Sequence, residues 1–115
     1  MPSLVRVGDE FMESPFRVWI DEDIADLIPG YMGRRREDLA NLSALLELEE
    51  FEGIAFIGHS MKGSGGGYGL FAISEMGRDL ERDGGLRNGV LVKNSLDRLE
   101  HYLNHVEILI KPCER

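Results

Sequence analysis

The stretch Gly58 to Gly69, Gly-His-Ser-Met-Lys-Gly-Ser-Gly-Gly-Gly-Tyr-Gly, constrains this chain most, because it sets six glycines around one histidine and one lysine. A glycine inside a helix costs roughly 1 kcal/mol relative to alanine. Several together must be offset by packing, or be kept for a surface that something else approaches closely. Read as a helix from about Glu52 to Ser64, the segment puts Ala55, His59, Lys62, Gly63 and Gly66 on one face, with Ile54, Ile57, Met61 and Tyr68 on the other. The apolar set faces a core. His59 is left on a bare face with Lys62 one turn away, which suits phosphoryl chemistry. Neutral imidazole is a competent nucleophile near pH 7, its unperturbed pKa being about 6.5. Lysine offers a mobile point charge to phosphoryl oxygens.

The flanking sequence supplies helices. Asp21 is a suitable N-cap, with Glu22 and Asp23 in the first turn, where the helix dipole favours acids. Ile24, Ile28, Tyr31, Leu39, Leu42 and Leu46 recur at helical spacing, predicting one long helix to about Leu48 that Pro29-Gly30 kinks or interrupts. Arg34-Arg35-Arg36 reads as a solvated face balanced by Glu37 and Asp38. The next turn lies within Glu47 to Glu52, and Gly65 to Tyr68 marks a bend. Leu70, Ile73, Gly77 and Leu80 then form the stripe of a helix ended by Gly84-Gly85, with Arg82 near its C-terminus. Val92, Leu96, Leu99, Leu103, Val106 and Ile110 give the seam of a last helix that Pro112 stops.

The expected fold is therefore all-α: an up-down four-helix bundle over 21–111, preceded by a partly extended N-terminal arm over 1–20. In that arm Gly8-Asp9 and Ser14-Pro15 favour turns, while Phe11, Phe16, Val18 and Trp19 are apolar enough to lie along the bundle. An exposed partner patch made of Phe16 and Trp19 is the alternative. A length of 115 residues without repeats fits one domain.

Charge and composition narrow the function classes. Thirteen basic against 21 acidic residues leave a net charge of −8, which argues against nonspecific nucleic-acid binding and against docking on anionic lipid. One cysteine, Cys113, allows no intramolecular disulfide and fits a reducing compartment. There is no basic-then-apolar leader and no apolar run of membrane-spanning length, so a soluble cytoplasmic protein is expected.

His59, Lys62, Gly63, Gly66 and Gly69 resemble the signature of histidine-containing phosphotransfer (HPt) domains, His-x-x-Lys-Gly followed by small residues and a further Gly. Leu70, Ile73, Met76-Gly77 and Leu80-Glu81 also resemble that family, and the similarity runs from about Asp21 to Ile110. The resemblance implies a phosphorelay intermediate without autonomous kinase activity. Nε2 of His59 would accept a phosphoryl group from a receiver-domain aspartate, and Lys62 would support the phosphoryl oxygens. Gly63, Gly66 and Gly69 would be partner-facing or close-approach positions, Gly69 serving the bend. The implied partners are receiver domains of response regulators or hybrid histidine kinases. The chain itself would bind no cofactor, Mg²⁺ belonging to the receiver, and would be monomeric.

Other readings compete on the same residues. A noncatalytic helical adaptor could use the same glycine face to bind a receiver. Gly67-Tyr68-Gly69-Leu70-Phe71-Ala72 fits G-x-G-x-x-A, with Ile54 to Ile57 as a conceivable strand, but no further strands are predicted to build a parallel sheet. Lys62 precedes its glycine, contrary to a P-loop. His101 and His105 have metal-ligand spacing but no evident third ligand, so no metal is assigned. Nothing near Cys113 would activate it.

Overall fold

The computed structural model describes residues 4–7, 10–13 and 16–112, the first two stretches by their backbone. It is mostly helical. Strands β1 (Leu4–Val7) and β2 (Glu10–Glu13) pair antiparallel, with Leu4 opposite Glu13. Strand β3 (Arg17–Asp21) and a 3-10 segment (Glu22–Leu27) lead into helix α1 (Ile28–Glu47). Then come α2 (Phe51–Gly65), a 3-10 turn (Gly66–Tyr68), α3 (Phe71–Gly85), α4 (Gly89–His105) and strand β4 (Glu107–Lys111). The turns expected at Gly8-Asp9 and Ser14-Pro15, the Phe11 side chain and Cys113 lie outside the described residues.

Each helix packs on its sequence neighbour, and α1 also packs on α4, with α2 and α3 making the most extensive contact. The shared core contains Tyr31 and Leu42 of α1, Ile54 and Met61 of α2, Ile73 and Leu80 of α3, and Val92 and Leu99 of α4. These residues recur at helical spacing, so the periodicity that predicts the helices also aims them inward. Asn88 caps α4, its Oδ1 accepting from Leu91 N at 3.1 Å.

Three expectations are corrected. The helix does not begin at Asp21: residues 22–27 are 3-10, and α1 starts beside Pro29, which occupies its first turn. Proline is tolerated there because those amides have no intrahelical partner. The last helix stops at His105, and Val106 turns extended with ψ of 134°. Ile110 consequently lies in β4, which pairs in parallel with β3 from Arg17↔Glu107 to Asp21↔Lys111. The short apolar run Ile108-Leu109-Ile110 between Glu107 and Lys111 is compatible with a strand, and β3, distant in sequence, supplies the hydrogen-bond partners a lone strand lacks. Arg17–Glu107 (3.0 Å) and Lys111–Asp21 (3.4 Å) pair along this ladder, and Ile20 is buried beneath it.

The third correction concerns Arg35, which is buried and not solvated. Its guanidinium lies 4.5 Å from the Tyr31 ring centroid, pairs with Asp38 at 2.8 Å, and donates to Ser64 Oγ at 3.1 Å. Tyr31 Oη and Ser64 Oγ are 2.9 Å apart, and the Tyr31 and Tyr68 rings stack at 4.3 Å. Burial pushes the Asp38 carboxyl up, with Arg35 opposing. This polar cluster ties α1 to the C-terminal half of α2.

Among the described residues no helix is long and apolar enough to cross a membrane. Ile54 to Ile57 is helical, so the strand required by the dinucleotide-loop reading is not formed.

Candidate functional site

The glycines of α2 and α3 serve two purposes. Gly58 and Gly65 are buried in α2, and Gly77 and Gly84 in α3, each pair separated by two helical turns. A Cβ on Gly58 would stand 2.6 Å from Glu81 N and 2.7 Å from Gly77 O, and one on Gly65 would stand 2.6 Å from Ser74 N. One on Gly77 would press on Lys62 N and on Gly58 O. Only hydrogen fits where backbones touch at Gly58, Gly65 and Gly77, and Gly84 is tightly packed, so these four positions let the two helices come close together. Ala55 joins that seam, its N lying 3.0 Å from where a Gly84 Cβ would be. The helical face read from sequence as bare therefore has one edge against α3.

That close approach delivers Glu81 of α3 to the histidine. His59 Nδ1 lies 2.7 Å from Glu81 Oε2, and Lys62 Nζ lies 2.6 Å from Glu81 Oε1. Both carboxylate oxygens are thus engaged, one by each α2 residue. Hydrogen bonding from Lys62, then from His59, holds the Glu81 carboxyl below its ordinary value. An ionised carboxylate can only accept, so Nδ1 must carry the hydrogen. In the neutral ring the lone pair then falls on Nε2. The His59 side chain is 67% exposed, and Nδ1 is its one bonded nitrogen among the described residues.

Of the positions expected to face a partner, Gly63 is open: a methyl group added there would find nothing within 4 Å. Gly66 lies beyond α2 in the 3-10 turn. Its N donates to Ser74 Oγ at 2.8 Å, and a Cβ there would meet the Phe71 ring at 3.4 Å. Gly69 has φ of +80° and ends that turn against Ile20. Phe56, one turn before His59, and Phe71, at the start of α3, are both exposed and add apolar surface to this side of the helix pair.

Glu81 is the site residue that sequence reasoning misses, because its position there reads only as part of the α3 pattern. A usable signal is present. Gly58–Gly65 and Gly77–Gly84 share a spacing of two turns, which marks a close helix crossing, and Glu81 sits one turn beyond Gly77.

His101 and His105 stack with ring centroids 4.1 Å apart, His105 Nδ1 donates to His101 O at 2.7 Å, and the Phe16 ring meets His101 edge-on at 5.1 Å. Among the described residues no three His, Cys, Asp or Glu side chains converge as a metal site.

No family model, curated protein or solved structure matches this chain.

Proposed function

We propose that this protein is a histidine phosphotransfer protein of a two-component phosphorelay, in which Nε2 of His59 takes a phosphoryl group from a receiver-domain aspartate and returns it to another receiver. The observation that carries the reading is the Glu81–His59 hydrogen bond, because it leaves an exposed Nε2 with its lone pair outward. In the forward step that lone pair attacks phosphorus, the bond from phosphorus to the aspartyl oxygen breaks, and the partner's carboxylate departs. The Nδ1 proton stays on the ring, so the phosphorylated imidazole carries positive charge that Glu81 faces at hydrogen-bond distance. Lys62 Nζ rests on Glu81 Oε1 at 2.6 Å, and its flexible stem would let it shift from there toward the incoming phosphoryl group. Such transfer depends on positioning and charge stabilisation, which an open histidine on a rigid helix pair favours.

Contacts of α1 with α2, α2 with α3, α3 with α4 and α4 with α1, joined by short turns, support an up-down four-helix bundle. Receiver domains of response regulators or hybrid kinases would supply the aspartate and Mg²⁺, docking over open Gly63 with Phe56 beside it. The protein would act as a cytoplasmic monomer.

The test is intact-mass and peptide analysis after mixing the protein with phosphorylated receiver domains, handled at alkaline pH to preserve phosphohistidine. The expected result is one phosphoryl group on His59 and none on His59→Gln. Docking of receivers to both proteins with no transfer to either would replace this reading with a noncatalytic adaptor.

A further inference from the structure

The end of the molecule remote from the glycine turn presents a second surface. It is formed by the α1–α2 turn (residues 48–50) and the α3–α4 turn (residues 86–88). These turns adjoin: a Cβ on Gly89 would lie 3.7 Å from Leu46 and 3.8 Å from Phe51, and Arg87 stacks 5.0 Å from the Phe51 ring centroid. Each turn places a leucine at the helix C-cap, and both leucines face solvent, Leu48 at 70% exposure and Leu86 at 68%. Val90 at 74% and Leu91 at 40% extend the apolar surface along the first turn of α4. Isolated exposed leucines are common, but these four large aliphatic side chains all belong to two adjoining turns and the helix start that follows them, which gives this end of the molecule an apolar character.

The two turns share one backbone solution. Glu49 and Arg87, each directly after the exposed leucine, have φ of +54°. Glu49 N bonds Leu46 O and Glu50 N bonds Leu45 O, just as Arg87 N bonds Gly84 O and Asn88 N bonds Asp83 O. Glycine is the unstrained residue for that conformation. At both positions the chain instead carries a charged side chain. Arg87 uses its side chain on Phe51, while Glu49 leaves its charge exposed beside the apolar surface.

The charge of that rim defines the occupant. Glu47, Glu49, Glu50 and Glu52 all lie in or beside the first turn and are exposed, and none is ion-paired among the described residues. A second copy would bring two acidic rims together, and an anionic lipid surface would be repelled. A segment with an apolar stripe flanked by lysine or arginine satisfies both features. We propose that this end docks a basic amphipathic helix of a partner protein, at a surface separate from His59 and available whether or not His59 is occupied.

The probe is a fluorescently labelled Leu/Lys heptad helix, titrated at physiological salt into the full chain by anisotropy. Controls are a scrambled peptide of equal composition and a Leu/Glu version. The expected result is preferential binding of the amphipathic Leu/Lys helix, with ¹⁵N shift changes centred on residues 48–50 and 86–91. Leu86→Ser/Val90→Ser should weaken it about tenfold or more without altering the circular dichroism. Glu49→Gln/Glu50→Gln should weaken it less and flatten its salt dependence, while His59→Gln leaves it unchanged. Equal binding of the scrambled peptide, indifference to Leu86→Ser/Val90→Ser, or shifts mapping elsewhere would overturn the proposal. Self-association of the chain through these same residues would also overturn it, in favour of a second copy.

Discussion

Gly58 and Gly63 lie in the same helix and are chemically identical, yet they do opposite things. Gly58 is buried where α3 backbone would clash with any side chain, and Gly63 has open space around it. The first is a condition for the helix pair to form. The second carries the helix-propensity cost of glycine with no packing return among the described residues. A single residue type thus marks a close backbone contact along one edge of α2 and open space along the other.

The contrast can be broken most sharply at the seam. Gly58→Ala must push Glu81 N and Gly77 O away from 2.6–2.7 Å, so we expect a loss of about 2–3 kcal/mol, seen as a Tm drop of the order of 10 °C. The same displacement separates Glu81 from His59, so the NMR signal of the Nδ1–H proton should weaken or vanish. A Tm within a degree of wild type would show that the backbones are not in contact. Gly69→Ala comes next: φ of +80° makes any Cβ unfavourable by roughly 1–2 kcal/mol, and Ile20 leaves little room to relax. Its effect should appear as a smaller Tm drop in the same melts.

On the open face the sign reverses. Gly63→Ala is expected to raise stability by about 0.4–1 kcal/mol, since it restricts the unfolded chain and meets nothing when folded. Gly63→Leu should likewise fold normally but slow phosphoryl uptake from a receiver by at least about tenfold, because its side chain occupies the approach to His59. Normal transfer by Gly63→Leu would mean that partners come from another direction.

The smallest effect concerns Glu81, whose folded-state pKa is lowered, chiefly by Lys62 and then by His59. A lowered carboxyl pKa adds stability that is fully present above the unfolded value, near 4.5, and is lost as pH falls through the folded value. The Tm advantage of wild type over Glu81→Gln should therefore be modest and should shrink toward zero as the pH falls below about 4.5. An advantage that persists undiminished at pH values well below about 4 would contradict the linkage expected of a carboxylate paired with Lys62 and His59.

The helices were legible because their apolar residues recur with helical spacing, and such spacing acts locally. Val92, Leu96, Leu99 and Leu103 are all buried as that spacing requires. Val106 and Ile110 continue the same rhythm but fall outside the helix, since the choice between a further turn and a strand depended on β3, far away in sequence. The Arg34-Arg35-Arg36 run shows the same limit. Three like charges suggest solvent, and only the Tyr31 ring, Asp38 and Ser64, two of them on other turns of α1 and one on α2, make the middle arginine buried.

Sequence alone determined that His59 and Lys62 share a face one turn apart on a glycine-rich helix, because i, i+3 geometry is a property of the helix itself. It also determined the buried stripe of α4 from Val92 to Leu103. Tertiary structure decided which glycines are contacts and which are open, and it brought Glu81 to both residues from another helix. A carboxylate's reach of a few ångströms depends on how closely two backbones pack, and in α2 and α3 that distance exists only once Gly58 and Gly77 meet.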